Sequence, residues 1–410
     1  MPPGIGKSYV DPVFRCSITR ITDSSTEETL SDGKHPGFMN YYSTLSAMDE
    51  SDKFLLISAT NGSWRVKDVK GALVIPAGKM PRMNDGHPVW DANAEGVFYF
   101  TSGNDLKRAS IVGHGIKTTI VHAFNEYHGI TSPDAADVSQ DGDQIALAGE
   151  NADGTIDIFS WSLSRKTKVS SYTTQCKVNR WGITQTPQPG CLHKLQFSAD
   201  DRLTIQFAQD GVAPEQGLRL WEKNKLVPLQ DYTNHYDTGF DEMGRPVFIE
   251  LGRPTTLKGE INPCPSGWGL DVRLINDLST AHCLLDSIRA WHVSYRGSRS
   301  QPWAAISFFD DRKTGPEFSG NNPNYREPSR ENWQLYEDEI ILARIDGEQI
   351  YRLAQARSRS ADGYWNQPHA AISRDGKYVV FTSSIAHPSG CPANMQVPDE
   401  CTDVYLLKAF

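Results

Sequence analysis

The chain has 410 residues, 38% of them hydrophobic and 22% charged, which excludes a disordered polymer and suits a folded protein with a sizeable core. Net charge is −9 and no Lys/Arg run stands out, so nucleic acid and anionic membrane surfaces are poor partners, although a local cluster of Arg and His can still receive an anionic sugar. No apolar run is long enough to span a bilayer.

Met1 to Lys7 lacks the apolar core of a signal peptide and reads as the start of a mature chain. Helical periodicity is nearly absent. Short β-branched and aromatic runs recur instead, bounded by Gly, Asp, Asn and Pro, which is an all-β pattern. Val13 to Ile21 is a strand that precedes the first repeat. Repeat units then start near Tyr41, His87, Asp134, His193, Tyr236, His292 and His369, spaced about 40 to 50 residues apart as propeller blades are. Val89 to Phe100, Asp137 to Ala148 and His193 to Asp201 read as strand, turn and following strand. Ala304 to Phe309 is the strand of a divergent unit, and Asp310 to Asn332 a long loop near the site. The clearest unit runs from Gln367 to Ser384 and turns at Asp375-Gly376, where Gly tolerates the positive φ of a tight hairpin. After His369 only three strands remain, ending at Val404 to Leu407. Val13 to Ile21 supplies the missing fourth and closes the ring. The expectation is a single seven-bladed β-propeller domain over residues 1–410.

Six of the seven cysteines fall into near pairs around loop sequence: Cys176 with Cys191, Cys264 with Cys283, and Cys391 with Cys401. Such clips belong to oxidising compartments. No Cys-x-x-Cys supports the zinc alternative. Cys16 is left over, expected buried and reduced. Asn61-Gly62-Ser63 is an N-glycosylation acceptor, and together these features favour a secreted, extracellular protein.

In a propeller the entering ends of the innermost strands cluster at one mouth of the ring. Here those positions carry Tyr41, His87, Asp134, His193, Tyr236 beside His235, His292 and His369, with His35, Tyr127 and His128 just upstream. Five blades thus bring a histidine toward the axis in a chain with eleven. The plainer alternative is that such a histidine bonds the neighbouring blade. Only Asp134 and Asp137, both in one blade, supply carboxylates there, against the flanking pair a glycosidase needs. No Gly-x-Ser-x-Gly elbow and no phosphate-binding glycine loop occurs.

His, Tyr and Arg suit β-elimination at a uronic acid. A base takes the C5 proton, an acid protonates the leaving oxygen on C4, and a cationic group offsets the carboxylate. His87, delivered by the Asn84-Asp85-Gly86 turn, is the expected proton-transferring residue. Tyr127 and His193 are its helpers, and Arg296 faces the carboxylate. His35, Tyr41, His128, His235, Tyr236 and Asn366 are expected to line the sugar. The alternatives are a non-catalytic carbohydrate- or protein-binding propeller, for which ten Trp would serve equally well, and a glycoside hydrolase.

Trp365-Asn366-Gln367-Pro368-His369, followed by the Asp-Gly hairpin, resembles the last-blade motif of oligogalacturonate lyases. Those are seven-bladed propellers with a divalent cation held by Gln and His of the last two blades. The resemblance implies a Ca or Mn ion on His292, Gln367 and His369, and no organic cofactor. The family carries a further His where this chain has Ala371. Over most of the chain, Tyr41-Tyr42-Ser43-Thr44-Leu45-Ser46, Trp291 to Arg296 and Tyr364 to His369 resemble the propellers akin to rhamnose–glucuronate lyases acting on gum arabic, and more distantly ulvan lyases. That resemblance implies a secreted, monomeric polysaccharide lyase that cleaves at C4 of a glucuronic acid, with exo release of a terminal sugar such as rhamnose.

Overall fold

The computed structural model describes residues 3–84, 86–132, 137–177, 192–208, 213–231, 235–252, 262–267, 269–287, 290–295, 301–308, 335–358, 363–387 and 390–409. The short apolar runs cannot bury a face alone, so they pair antiparallel into seven sheets, each a blade. Blade 1 holds Phe38–Met39, Phe54–Ala59, Trp64–Asp68 and Leu73–Ile75, from the axis outward. Blade 2 holds Val89–Trp90, Val97–Ser102, Asp105–Val112 and Gly115–Ala123, and blade 3 Ile130–Thr131, Gln144–Glu150, Thr155–Ser162 and Thr167–Lys177. Blade 4 is Leu192–Phe197, Leu203–Phe207, Leu218–Glu222 and Lys225–Gln230, and blade 5 Tyr236–Phe240, Pro246–Gly252, Gly269–Leu274 and Asp277–Leu285. Blade 6 is Ala290–Ser294, Trp303–Phe308, Glu339–Arg344 and Ile350–Gln355.

Blade 7 closes the ring. Ala371–Ile372, Tyr378–Ser383 and Asp403–Lys408 come from the end of the chain, and Ser17–Arg20 pairs onto them, with Ser8–Val10 outside it. Ile18 lies opposite Leu407 and Arg20 opposite Tyr405. The pairing is locked by charge, since the buried Arg20 Nη2 sits 2.6 Å from Asp403 Oδ2. Thr22 Oγ1 and Ser24 N donate to the other oxygen of Asp403. The closing strand is shorter than the sequence predicts because Asp11 turns the chain first. Its Oδ1 accepts from the backbone N–H of both Val13 and Phe14 at 2.8 Å.

Large rings fill the spaces between blades. Trp90, Phe98, Phe124 and Phe159 are buried in one cluster that runs across blades 1 to 3, each contributing about 2–3 kcal/mol of transfer free energy. Trp90 Nε1 also donates to Ala47 O, tying blade 2 to blade 1. The Asp-Gly turns at Gly142 and Gly376 adopt φ of 77° and 78°, as the hairpins require. At the exit ends of the inner strands Arg374 of blade 7 reaches across the axis to Asp137 at 2.8 Å, and Asp137 also accepts from Ser46 N of blade 1.

Cys264–Cys283 and Cys391–Cys401 are disulfides. Cys191 lies outside the described residues, and with it the predicted Cys176 pairing. Cys16 is half-buried rather than buried, because it follows a turn at the blade's outer edge whose Pro12 and Val13 are exposed. Asp134 and the insertion at 310–332 lie outside the described residues. No helix among the described residues is long and apolar enough to cross a membrane.

Candidate functional site

The inner strand of blade 1 ends at Met39, and Tyr41 follows with φ of 69°, a conformation a bulky residue rarely adopts. That turn sends two consecutive rings to different neighbours. Tyr41 faces Trp64, His87 and Trp365, with ring centroids 5.2, 5.5 and 6.0 Å away. Tyr42 faces the axis, where its hydroxyl lies 2.9 Å from His235 Nδ1 and its ring 5.4 Å from those of His292 and His369. Four blades therefore meet in one cluster.

Each member is fixed locally. His292 sits where a bulge interrupts the pairing of Ala290–Ser294 with its neighbour, and its Nε2 lies 2.6 Å from Gln367 Oε1. His369 adopts φ of 43°. Its carbonyl accepts from Asn40 Nδ2 at 2.8 Å, and Thr382 Oγ1 donates to Asn40 Oδ1. These bonds from blades 1 and 7 hold a strained residue in place. The rings of His292 and His369 are 4.2 Å apart, and those of His235 and His292 4.7 Å apart.

Burial sets the electrostatics. It pulls His292 down to about 4, Lys194 adding to the effect while Gln367 opposes it. Burial first, then the neighbouring His292, also drives His235 and His369 well below the usual imidazole range. All three imidazoles are neutral near pH 7. Among the described residues the nearby cation is Lys194, 5% exposed, whose ammonium lies 4.4 Å from the Tyr236 ring, 5.9 Å from the Tyr42 ring and 3.2 Å from Tyr236 O.

His292, Gln367 and His369 thus converge as the resemblance implies. Neutral imidazoles keep the lone pairs a borderline metal needs. His369 is fully buried and meets the backbone of Gln367, and His292 Nδ1 is buried without a hydrogen bond, so lone pairs remain unspent within the cluster. Among the described residues no three His, Cys, Asp or Glu side chains are grouped so as to hold a metal by themselves, and the Gln367 oxygen is the third ligand the resemblance offers.

Other predicted residues fall elsewhere. His87 is buried at the mouth on the far side of Tyr41. His193 is exposed at a bulge between Leu192 and Lys194, and its charge is felt at His235. Tyr127 is a correction: it lies in the core between blades 2 and 3, its ring 5.5 Å from Phe159, its hydroxyl donating to Asp157 and accepting from Lys168. Burial and the Asp157 bond push its phenol far up, so it does not release a proton readily. Tyr236 is a second correction, since its ring is buried in the core and its hydroxyl meets Thr204 Oγ1. Asn366 is a third: it is fully buried, and its amide donates to Asp399 O. His35 bonds Glu28 O and pairs with the loop at Met395, and His128 is exposed with its backbone bonded to Glu150 O, so neither joins the cluster. Arg296 lies outside the described residues. Sequence reasoning missed Tyr42 and Lys194, and each is the immediate neighbour of a residue it chose.

Beside the cluster, a cleft of about 470 Å³ opens between blades 1 and 2. Tyr41, Trp64 and Trp365 form its aromatic side, with Met39, Met80 and Met83 among the remaining lining. Trp365 also approaches the His369 ring, at 6.1 Å. At the cleft edge Asn61 Oδ1 accepts from both Ser63 N and Ser63 Oγ, folding the glycosylation motif into a tight turn.

No family model matches the chain, and no curated protein matches it in sequence. Among solved structures it is similar to an oligogalacturonate lyase in complex with manganese, at 10% identity and TM-score 0.58, over 100% of this chain and 96% of that one. An oligogalacturonate lyase from Vibrio parahaemolyticus is similar at 8% identity and TM-score 0.55, over 98% of this chain and 96% of the other. The WD40 domain of Neurospora crassa Pan2 is similar at 10% identity and TM-score 0.47, over 98% of each chain. At such identities the likeness to the two lyases establishes the fold.

Proposed function

We propose that this chain is an extracellular polysaccharide lyase that cleaves at C4 of a glucuronic acid by β-elimination, releasing a terminal sugar. The observation that carries the reading is the meeting of Tyr42, His235, His292 and His369 from four blades, with the buried Lys194 beside them. The likeness of fold to two oligogalacturonate lyases and the two disulfides support it.

In the tautomer with Nδ1 unprotonated, Tyr42 donates to His235. Tyr42 can then take the C5 proton as its own passes to His235, and return a proton to the oxygen leaving C4. Burial first, then the neighbouring His292 and Lys194, keep His235 a weak base. A uronate carboxylate beside Lys194 offsets that charge and raises the basicity of His235 as substrate binds. Lys194 thereby meets the carboxylate, a role the sequence also assigns to Arg296, which lies outside the described residues. A divalent cation on His292, Gln367 and His369 would add positive charge against the same carboxylate. His87 and His193 remain at the mouth as contacts to the sugar.

The test is incubation with glucuronate-containing polysaccharides. Unsaturated uronate absorbance near the ultraviolet edge is the expected product. Reducing ends released without that absorbance would make the chain a hydrolase, and binding without turnover would make it a sugar-binding propeller.

A further inference from the structure

We infer that the loop clipped by Cys391–Cys401 is a positioning element for the histidine cluster, with Asn366 as its positioning residue. It holds Gln367 and His369 on one side and the strand that leads to Tyr42 on the other. That the cluster acts on a uronate rests on the lyase reading, whereas the positioning does not.

Gln367 and His369 follow the short 3₁₀ turn Tyr364–Asn366. So short a turn cannot hold its own shape and is fixed from outside. Asn366 Nδ2 donates to Asp399 O at 2.7 Å, Ser358 Oγ donates to Asn366 O, and the Glu400 carboxylate meets the backbone of Trp365. Gly363 leaves room for that carboxylate, since a Cβ there would lie 2.8 Å from Glu400 Oε1. The turn in turn fixes the cluster. The Tyr364 and Trp365 rings stand 5.0 and 6.1 Å from the His369 ring, and Gln367 Oε1 meets His292 Nε2 at 2.6 Å.

The same loop grips the entry to blade 1. Asn394 O accepts from His35 N at 2.9 Å, and Gln396 N donates to His35 O at 2.8 Å. Gln396 Oε1 accepts from Thr60 Oγ1, and Thr402 O accepts from Phe38 N at 2.8 Å. Gly37 packs so closely on Glu400 O that a Cβ would collide with it. Phe38–Met39 then leads to Tyr42, whose ring is 5.4 Å from that of His369. Asp399 and Glu400 therefore stand between the two segments whose spacing sets the approach of Tyr42 to His369.

The clip gives the loop its shape. Residues 392–400, all of them described, run irregularly, with one bridge from Met395 to His35. The disulfide closes this segment directly after Glu400. Once it is open, the segment samples other conformations, and the bonds to Asn366, Trp365 and His35 loosen together. Cys401 is fully buried and Cys391 half-buried, so a dithiol reaches Cys391 first. Its thiolate attacks Cys391 Sγ, and Cys401 leaves as a thiolate and takes a proton. The second sulfur of the reagent then closes its own disulfide and releases Cys391, which takes the other proton.

His292 reports the outcome. Its Nε2 faces the Gln367 oxygen and its buried Nδ1 has no hydrogen bond, so Nε2 carries the proton. The full chain, labelled with 15N-histidine and kept free of divalent metal, is followed by NMR before and after dithiothreitol. His292→Ala identifies the pair of signals, one from a protonated and one from a bare nitrogen. Reduction should draw the two signals toward each other as Gln367 ceases to fix the tautomer, and reoxidation should part them again. Cys391→Ala/Cys401→Ala and Asn366→Ala should show the same change without reductant, while Cys264→Ala/Cys283→Ala should behave as the parent. Turnover of a uronate polymer should fall about tenfold or more with the shift. Unmoved His292 signals, in a parent whose disulfides are open by thiol titration or in a folded Cys391→Ala/Cys401→Ala protein, would overturn the inference even if activity fell. If the signals move as described but no form of the protein gives an unsaturated product, the lyase reading fails and the positioning stands.

Discussion

Tyr42 of blade 1 and His235 of blade 5 meet across the ring with Oη and Nδ1 2.9 Å apart, although 193 residues separate them in sequence. Blades 1 and 5 are not neighbours, so the bond spans the axis instead of stitching adjacent sheets. This makes the pair the place to test proton transfer. Tyr42→Phe should lower turnover about a hundredfold or more and hardly move the melting temperature. His87→Ala, behind Tyr41, should cost turnover less. A His87→Ala protein with the larger loss per folded molecule would return the proton-transferring role to His87.

A cation on His292, Gln367 and His369 has its own readout. Mn added to chelator-treated protein should bind by calorimetry, and His369→Ala should abolish the binding. Full activity after exhaustive chelation, with no metal by elemental analysis, would remove the cation from the mechanism.

Ring closure depends on Arg20 and Asp403, both nearly inaccessible to solvent. Asp403→Ala leaves a buried guanidinium whose remaining ion-pair partner among the described residues is Asp23 at 3.0 Å. Removing one member of a buried pair costs about 3–5 kcal/mol, measured by urea unfolding. A loss below about 1 kcal/mol would show that the outer strand is held by its backbone pairing alone.

The pH dependence of stability has a source far from the site. Burial, then the bond and charge of Asp375, raise the Asp52 carboxyl to about 7. Asp375, also pushed up by burial, is nonetheless held at about 2 by Lys377 and Ser373. Between the ordinary value of 3.8 and about 7 the folded protein therefore binds a proton at Asp52 that the unfolded chain releases. That contribution is complete below 3.8 and is lost as pH rises through about 7. Asp52→Asn should gain melting temperature on the parent as pH climbs from about 5 to 8. A difference that stays constant over that span would refute the assignment.

The fold was legible because each blade repeats a local pattern. Asp141-Gly142 and Asp375-Gly376 mark hairpins by themselves, and a surplus strand before the first blade matches a deficit after the last. The site was legible only to within one residue. His235 and Tyr236 were both expected to line the sugar and only His235 faces the cluster, while His193 was chosen where Lys194 lies beside it. Side chains alternate along a strand, so neighbours point to opposite faces, and the bulge between Leu192 and Lys194 shifts that alternation without any sequence signal. Tyr42 was hidden by the positive φ of Tyr41, since nothing in a Tyr-Tyr pair says which ring turns to the axis. Tyr127 sits just upstream of an inner strand, yet a core of Phe124, Phe159 and Trp161 claims its ring.

The strand Ser17–Arg20 leaves the ribosome before the blades it seals, and Asp403–Lys408 leaves after them. Until that last strand emerges, the nascent chain carries an unpartnered edge that invites intermolecular pairing. The cluster also waits, because His369 belongs to the final blade and Tyr42 to the first. Ring closure is therefore a single late event that hides the edge and assembles the cluster together, so a chain stalled short of blade 7 is both aggregation-prone and without its complete set of histidines.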